Sequence, residues 1–129
     1  VLDLASINPT DWFECNFRTL CGSNTSLERI EEIAFDARRC SPEVAIGDLR
    51  AYTSFDLSTN IKNITCPVLL IEGSEDWSCP PEAVELTYEK LNCPKDYVLL
   101  NNVGHFSHTE QQDYFNEEVL KGLARLNLL

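Results

Sequence analysis

Apolar positions along this chain recur first at helical and then at strand spacing, with the change falling near Asn60. Leu27, Ile30, Ala34 and Ala37 lie three or four residues apart with charged residues between them, and Thr25 with Glu28 has the spacing of a capping box. That pattern predicts an amphipathic helix ending near Arg39, inside a first forty residues that read as helical and loop-rich. Ser41-Pro42 opens a second predicted helix through Val44, Ile46, Leu49 and Tyr52, since proline is tolerated in a first helical turn. Gly47 is the one residue there that disfavours helix.

Beyond Asn60 the run Val68-Leu69-Leu70-Ile71 is apolar without alternation, as expected of a strand covered on both faces. It stops at Gly73-Ser74-Glu75-Asp76. Pro80-Pro81 starts a predicted helix with Val84, Tyr88 and Leu91 on one face, followed by a second strand from Tyr97 to Leu100. The turn Asn101-Asn102-Val103-Gly104 delivers His105. Thr109 with Gln112 then has the spacing to cap a last helix carrying Phe115, Val119, Leu123 and Leu126 on one stripe. Strand, helix, strand, helix implies two parallel strands joined by a crossover, hence an α/β fold. Two such apolar strands would leave an adhesive edge, so the pair is expected to belong to a larger sheet.

Composition narrows the function classes. The 129 residues are enough for one ordinary domain, and 43 % hydrophobic content is that of a chain with a buried core. A net charge of -11, from 10 basic and 21 acidic side chains, repels phosphate backbones and anionic lipid surfaces, so neither nucleic acid nor membrane is expected as a partner. The acidic excess is most simply a solvated surface. Apolar strings are too short to span a bilayer and no basic-then-apolar leader begins the sequence, which reads as soluble and mature. Cys15, Cys21, Cys40, Cys66, Cys79 and Cys93 form an even set without C-x-x-C spacing, which favours disulfides over a metal site. The sequons at Asn24 and Asn63 point the same way, to glycosylation in an oxidising, secretory setting.

In an open α/β sheet, functional groups gather where the strands end and the helix N-termini open. Asp76 leaves the first predicted strand there and His105 leaves the second. A carboxylate on one imidazole nitrogen fixes the tautomer and frees the other nitrogen to take a proton from a nucleophile. The segments "ITCPVLLIEGSEDWSCPPEAVELTYEKL" and "DYVLLNNVGHFSHTEQQDYFNEEVLKGL" resemble the C-terminal part of an α/β-hydrolase, with G-x-x-D after the penultimate strand and G-H after the last. The resemblance covers roughly Ser41 to Leu128. It implies Asp76 as the acid and His105 as the base of a Ser-His-Asp triad, in the family's acid-before-histidine order. It also implies that residues 1–40 are a segment of helical cap and residues 41–129 the C-terminal part of the hydrolase core.

The nucleophile elbow G-x-S-x-G is absent: Gly22, Gly47, Gly73, Gly104 and Gly122 provide no such spacing. The earlier strands and the oxyanion loop are missing too. The expectation is therefore the smaller chain of a secreted two-chain serine hydrolase cut within its cap, with a second polypeptide carrying the nucleophile. An ester, lactone or amide would be the substrate, and no cofactor or metal is called for. The alternatives are a non-catalytic ligand-binding protein on the same scaffold, or an isolated fragment without activity. On the strand assignment, Cys66 and Cys93 lie at the bottom of the sheet and Cys79 at the top, roughly 17 Å away. Bridged Cα atoms lie within about 7 Å. Cys79 is thus expected to pair with a cap cysteine or the missing chain, whereas Cys66 with Cys93 is allowed.

Other residues compete for roles. Glu72 and Glu75 neighbour Asp76, which the family pattern favours over both. His108 reads as a surface or helix-start residue. Trp77, Phe106 and Trp12 are candidates to line a substrate pocket, with ordinary packing the alternative.

Overall fold

The computed structural model describes residues 2–129, which divide into two compact units. The first comprises residues up to Thr19 together with Ser26–Asp56; the second comprises Leu20–Thr25 and Leu57–Leu129. This division runs differently from a boundary at Cys40, because the Pro42–Ser54 helix packs with the helices before it.

The first unit holds four helices, α1 (Leu2–Ile7), α2 (Pro9–Thr19), α3 (Leu27–Arg39) and α4 (Pro42–Ser54). Its buried side chains are mostly small: Ala5, Ala34, Ala37 and Ala45, with Ile33. Small residues let helix backbones approach closely. The predicted stripe of α3 is displaced at its start, since Leu27 is exposed while Ile33 is buried. On α4 the expected face is offset by one residue: Val44 and Tyr52 are exposed and Ala45 is buried. The N-cap of α3 is Ser26, whose hydroxyl accepts from the Arg29 N–H at 3.2 Å, not Thr25. Ser41 caps α4 as expected. Glu14 on α2 binds the guanidinium groups of both Arg38 and Arg18, which hold its carboxyl well below the usual range, at about 2.

The second unit is built on parallel strands β1 (Val68–Gly73) and β2 (Lys95–Leu100), in register from Val68 opposite Lys95 to Gly73 opposite Leu100. Helix α5 (Pro81–Lys90) connects them, and α6 (Ser107–Glu110) and α7 (Gln112–Arg125) follow. Val98, Leu100 and Val103 form the core on one face, closed by Leu69, Ile71 and the α7 side chains Tyr114 and Phe115. Gly122 permits this contact: a Cβ there would lie 2.6 Å from the Leu69 side chain. On the other face, Tyr97 meets Tyr88 of α5, ring centroids 6.2 Å apart. The predicted faces of α5 and α7 are turned inward, while Leu99 is left exposed.

β2 begins two residues earlier than its apolar run because Lys95 is amphipathic. Its Nζ donates to the carbonyls of Tyr88 (2.5 Å) and Leu91 (2.8 Å) and lies over the Tyr88 ring, closing the C-terminus of α5. The last helical segment also departs from the expected single capped helix. Thr109 lies inside α6, the chain breaks at Gln111, and α7 starts afresh.

The expected disulfide framework is not formed. Cys15, Cys40 and Cys66 are exposed thiols and Cys79 and Cys93 are half-buried thiols, none of them bridged; Cys21 is half-buried. Packing and hydrogen bonds hold each unit together instead. The sequon residues Asn24 and Asn63 are both exposed. Among the described residues no helix is long and apolar enough to cross a membrane.

Candidate active site

The carboxyl ends of β1 and β2 run directly into two loops that hydrogen-bond to each other. The Ser74 N–H donates to Leu100 O and the Glu75 N–H to Val103 O, both at 2.9 Å, while the Asn102 N–H donates to Ser74 Oγ. Asn102 takes up a left-handed backbone (φ 59°), which asparagine tolerates better than most residues. The segment Leu20–Thr25 lies against both loops. The Leu20 carbonyl accepts the His105 N–H at 2.9 Å, and Ser23 Oγ donates to Glu75 Oε1 at 2.7 Å.

Three glycines make this convergence possible. A Cβ on Gly22 would lie 2.6 Å from the Gly104 nitrogen, one on Gly73 would collide with the carbonyls of Val103 and Gly104, and one on Gly104 would strike the Leu20 carbonyl. Every one of these obstacles is backbone and cannot rotate away. The loops therefore touch main chain to main chain, which fixes where His105 emerges.

Asp76 and His105 meet. His105 Nδ1 and Asp76 Oδ2 are 2.7 Å apart, the acid nearly sealed (3 % exposed side chain) and the imidazole open (39 %). Asp76 Oδ1 accepts the N–H groups of Ser78 (2.9 Å) and Cys79 (3.0 Å), so the carboxylate is fixed from both sides. An ionised carboxylate only accepts, which makes Nδ1–H the donor, and in the neutral imidazole Nε2 is then the nitrogen with a free lone pair. That is the arrangement of a general base with its orienting acid. Around it, Glu72 is buried at the end of β1, and burial together with the Asp76 charge pushes its carboxyl up to about 7. Burial and the same two carboxylates push the Cys79 thiol up.

Glu110 was not legible as a site residue, yet it organises the histidine loop. Its buried carboxylate accepts four bonds: from the N–H groups of Gly22 (2.7 Å) and Gly104 (3.0 Å) and the Thr25 hydroxyl (2.6 Å) on Oε2, and from the Phe106 N–H (2.9 Å) on Oε1. This explains why Thr25 is not the cap of α3. A carboxylate five residues after the histidine, at the foot of a helix, was the available signal.

The other candidates separate. Phe106 stands edge-on to the His105 ring, centroids 5.1 Å apart, and Trp77 follows Asp76 in the same loop, largely exposed. Trp12 belongs to α2 of the first unit, edge-on to Phe13. His108 is exposed beside Phe115, and Glu75 is engaged with Ser23.

Comparison with known proteins identifies the fold. No protein-family model matches the sequence. A proline iminopeptidase, PfmaB of Pestalotiopsis fici, is 27% identical over 71 residues, covering 55% of this chain and 25% of its own. The esterase EaEST from Exiguobacterium antarcticum superimposes with a TM-score of 0.83 at 16% identity, over 93% of this chain and 44% of its own. A thermophilic esterase from Thermogutta terrifontis gives a TM-score of 0.81 at 21% identity, over 97% and 47%. The fold is thus that of the C-terminal portion of an α/β-hydrolase, and the chain spans about half the length of the solved structures it matches.

Proposed function

We propose that this chain supplies the acid and base of a serine hydrolase acting on an ester, lactone or amide. The carrying observation is the 2.7 Å contact between His105 Nδ1 and buried Asp76. Asp76 orients the imidazole and stabilises its protonated form; His105 Nε2 takes the proton of a serine and later returns it to the leaving group. The serine and the oxyanion donors belong to a segment outside these 129 residues, on a second polypeptide or elsewhere on a longer one. In this reading the helices of the first unit belong to a cap segment. Trp77 and Phe106, beside the acid and the base, line the substrate pocket. The exposed sequons at Asn24 and Asn63 favour a secreted glycoprotein.

A fluorophosphonate probe tests the reading on the protein purified with every segment that accompanies this chain. The expected result is covalent labelling of a serine outside the 129 residues, lost in His105→Ala and strongly reduced in Asp76→Asn. Unchanged labelling in His105→Ala overturns the reading. No labelling of the wild-type protein favours the alternative of a ligand-binding scaffold.

A further inference from the structure

The base and its acid stand on different supports. His105 is carried by the loop after β2, and the hexapeptide Leu20–Thr25 is bonded to that loop along its length. The Leu20 carbonyl accepts the His105 N–H, and the Gly22 N–H and Thr25 hydroxyl donate to Glu110. The Asn24 N–H donates to the Asn102 carbonyl at 3.3 Å, while the Asn24 carbonyl accepts Gln111 Nε2 at 2.8 Å. Asp76 belongs to the other loop, whose first bonds to this body fall on Leu100, Asn102 and Val103, all before the histidine. Ser23 adds a tie beyond them. Its N–H and its hydroxyl both donate to the Glu75 carboxylate, at 2.5 and 2.7 Å, and Glu75 is the residue next to the acid.

We propose that Glu75 is a positioning residue of the Asp76–His105 pair: through Ser23 it fixes the hexapeptide, and so the His105 backbone, against the loop that carries Asp76. The contacts form a ring. It runs from Asp76 through Glu75 to Ser23, along the hexapeptide to Leu20, across to the His105 N–H, and closes at the 2.7 Å approach of Nδ1 to Oδ2. A forked carboxylate that receives two donors of one residue resists rotation as well as sliding, which a single bond does not. Glu75 acts through Ser23 and Leu20 and not on the imidazole itself. With the ring opened at Glu75, the two loops keep their bonds near the strands, but the imidazole can shift against its carboxylate, and small misplacements at a reacting group are costly in rate.

The catalytic consequence rests on the serine hydrolase reading; the geometric one does not, and each has its own measurement. Nitrogen-proton NMR of the neutral histidine rings reports which nitrogen carries the proton. Expected is the Nδ1–H form of His105 in the wild type, a shift towards the Nε2–H form in Glu75→Ala, and no shift in Glu75→Gln, whose amide can accept the Ser23 N–H and donate to the Ser23 hydroxyl. His108 should be unmoved throughout. The second measurement is the saturation curve of fluorophosphonate labelling on the protein with its accompanying segments. Both bonds to Ser23 are exposed, so the maximal rate should fall only about three- to tenfold in Glu75→Ala, with half-saturation unchanged and the rate recovered in Glu75→Gln. Ser23→Ala, which keeps the backbone donor, should lose less, and the double variant should lose no more than Glu75→Ala alone. An unchanged His105 tautomer in Glu75→Ala overturns the proposal, as does a full labelling rate in that variant or additive losses in the double one. If the wild type takes no label, the hydrolase reading falls, and the tautomer alone decides whether Glu75 holds the pair together.

Discussion

Replacing Glu110 by glutamine is the most informative single perturbation of the histidine loop. The carboxylate takes four donors, three on Oε2 and one on Oε1. Hydrogen bonds to a charged group contribute about 1.5–3 kcal/mol each and neutral ones about 0.5–1.5. In the best arrangement the glutamine carbonyl faces Gly22, Thr25 and Gly104, and each of those bonds weakens by roughly 1 kcal/mol. Its NH2 then faces the Phe106 N–H, donor against donor, leaving that amide unpaired at a further cost of about 1–3 kcal/mol. The sum is about 4–6 kcal/mol, a large part of the stability of an ordinary domain, roughly 5–15 kcal/mol. Urea unfolding followed by tryptophan fluorescence reads it: at a slope of about 2 kcal/mol/M the midpoint falls by about 2–3 M. Amide hydrogen exchange at Gly22, Gly104 and Phe106 should accelerate more than at β1 or β2. A midpoint within about 0.5 M of wild type would refute the claim that Glu110 holds this loop through its charge.

Two further outcomes follow from packing and from charge. Gly104→Ala sets a methyl against the Leu20 carbonyl and should prevent the two loops from closing, lowering the melting temperature steeply; Gly47→Ala, on an exposed turn of α4 with nothing within 4 Å of the new methyl, should stabilise by about 0.5–1 kcal/mol. Calorimetry of the pair distinguishes crowding from helix propensity. Because the folded-state pKa of Glu72, about 7, is raised above its ordinary 4.5, the folded chain holds a proton that the unfolded chain releases. The stability this contributes is complete below about pH 4.5 and is lost as pH rises through about 7, amounting to about 3 kcal/mol. Urea midpoints of wild type should therefore fall across that window, and those of Glu72→Gln should fall much less; parallel curves would refute the linkage.

The strands and the long helices of the second unit were legible because their signals are local. An apolar run without alternation marked β1, Pro81 marked the start of α5, and a 3.6-residue stripe marked α7. Asp76 and His105 were legible because each follows a strand, and parallel neighbours bring such positions together. What escaped was non-local. Thr25 has the chemistry of a helix cap, and nothing nearby announces that a carboxylate 85 residues away takes its hydroxyl instead. Lys95 is polar where strands are usually read as apolar, and only the carbonyls ending α5 explain its place in β2. Glu72 was visible as an ionisable residue in an apolar run, but its burial against Asp76 depends on how the next turn folds back. Cysteine parity suggested bridges that the structure does not form.

The hexapeptide Leu20–Thr25 sits early in the chain yet furnishes the floor on which His105 stands. Gly22 and Glu110 are 88 residues apart, so the loop that joins them is among the costliest in the molecule to close. During synthesis this seat leaves the ribosome long before its occupant, and the base can reach its final orientation only after Glu110 has been made. A version trimmed to begin at Ser26 would retain both strands and the Asp76 loop but lose the anchor for the imidazole, a poor starting point for any attempt to shrink this protein.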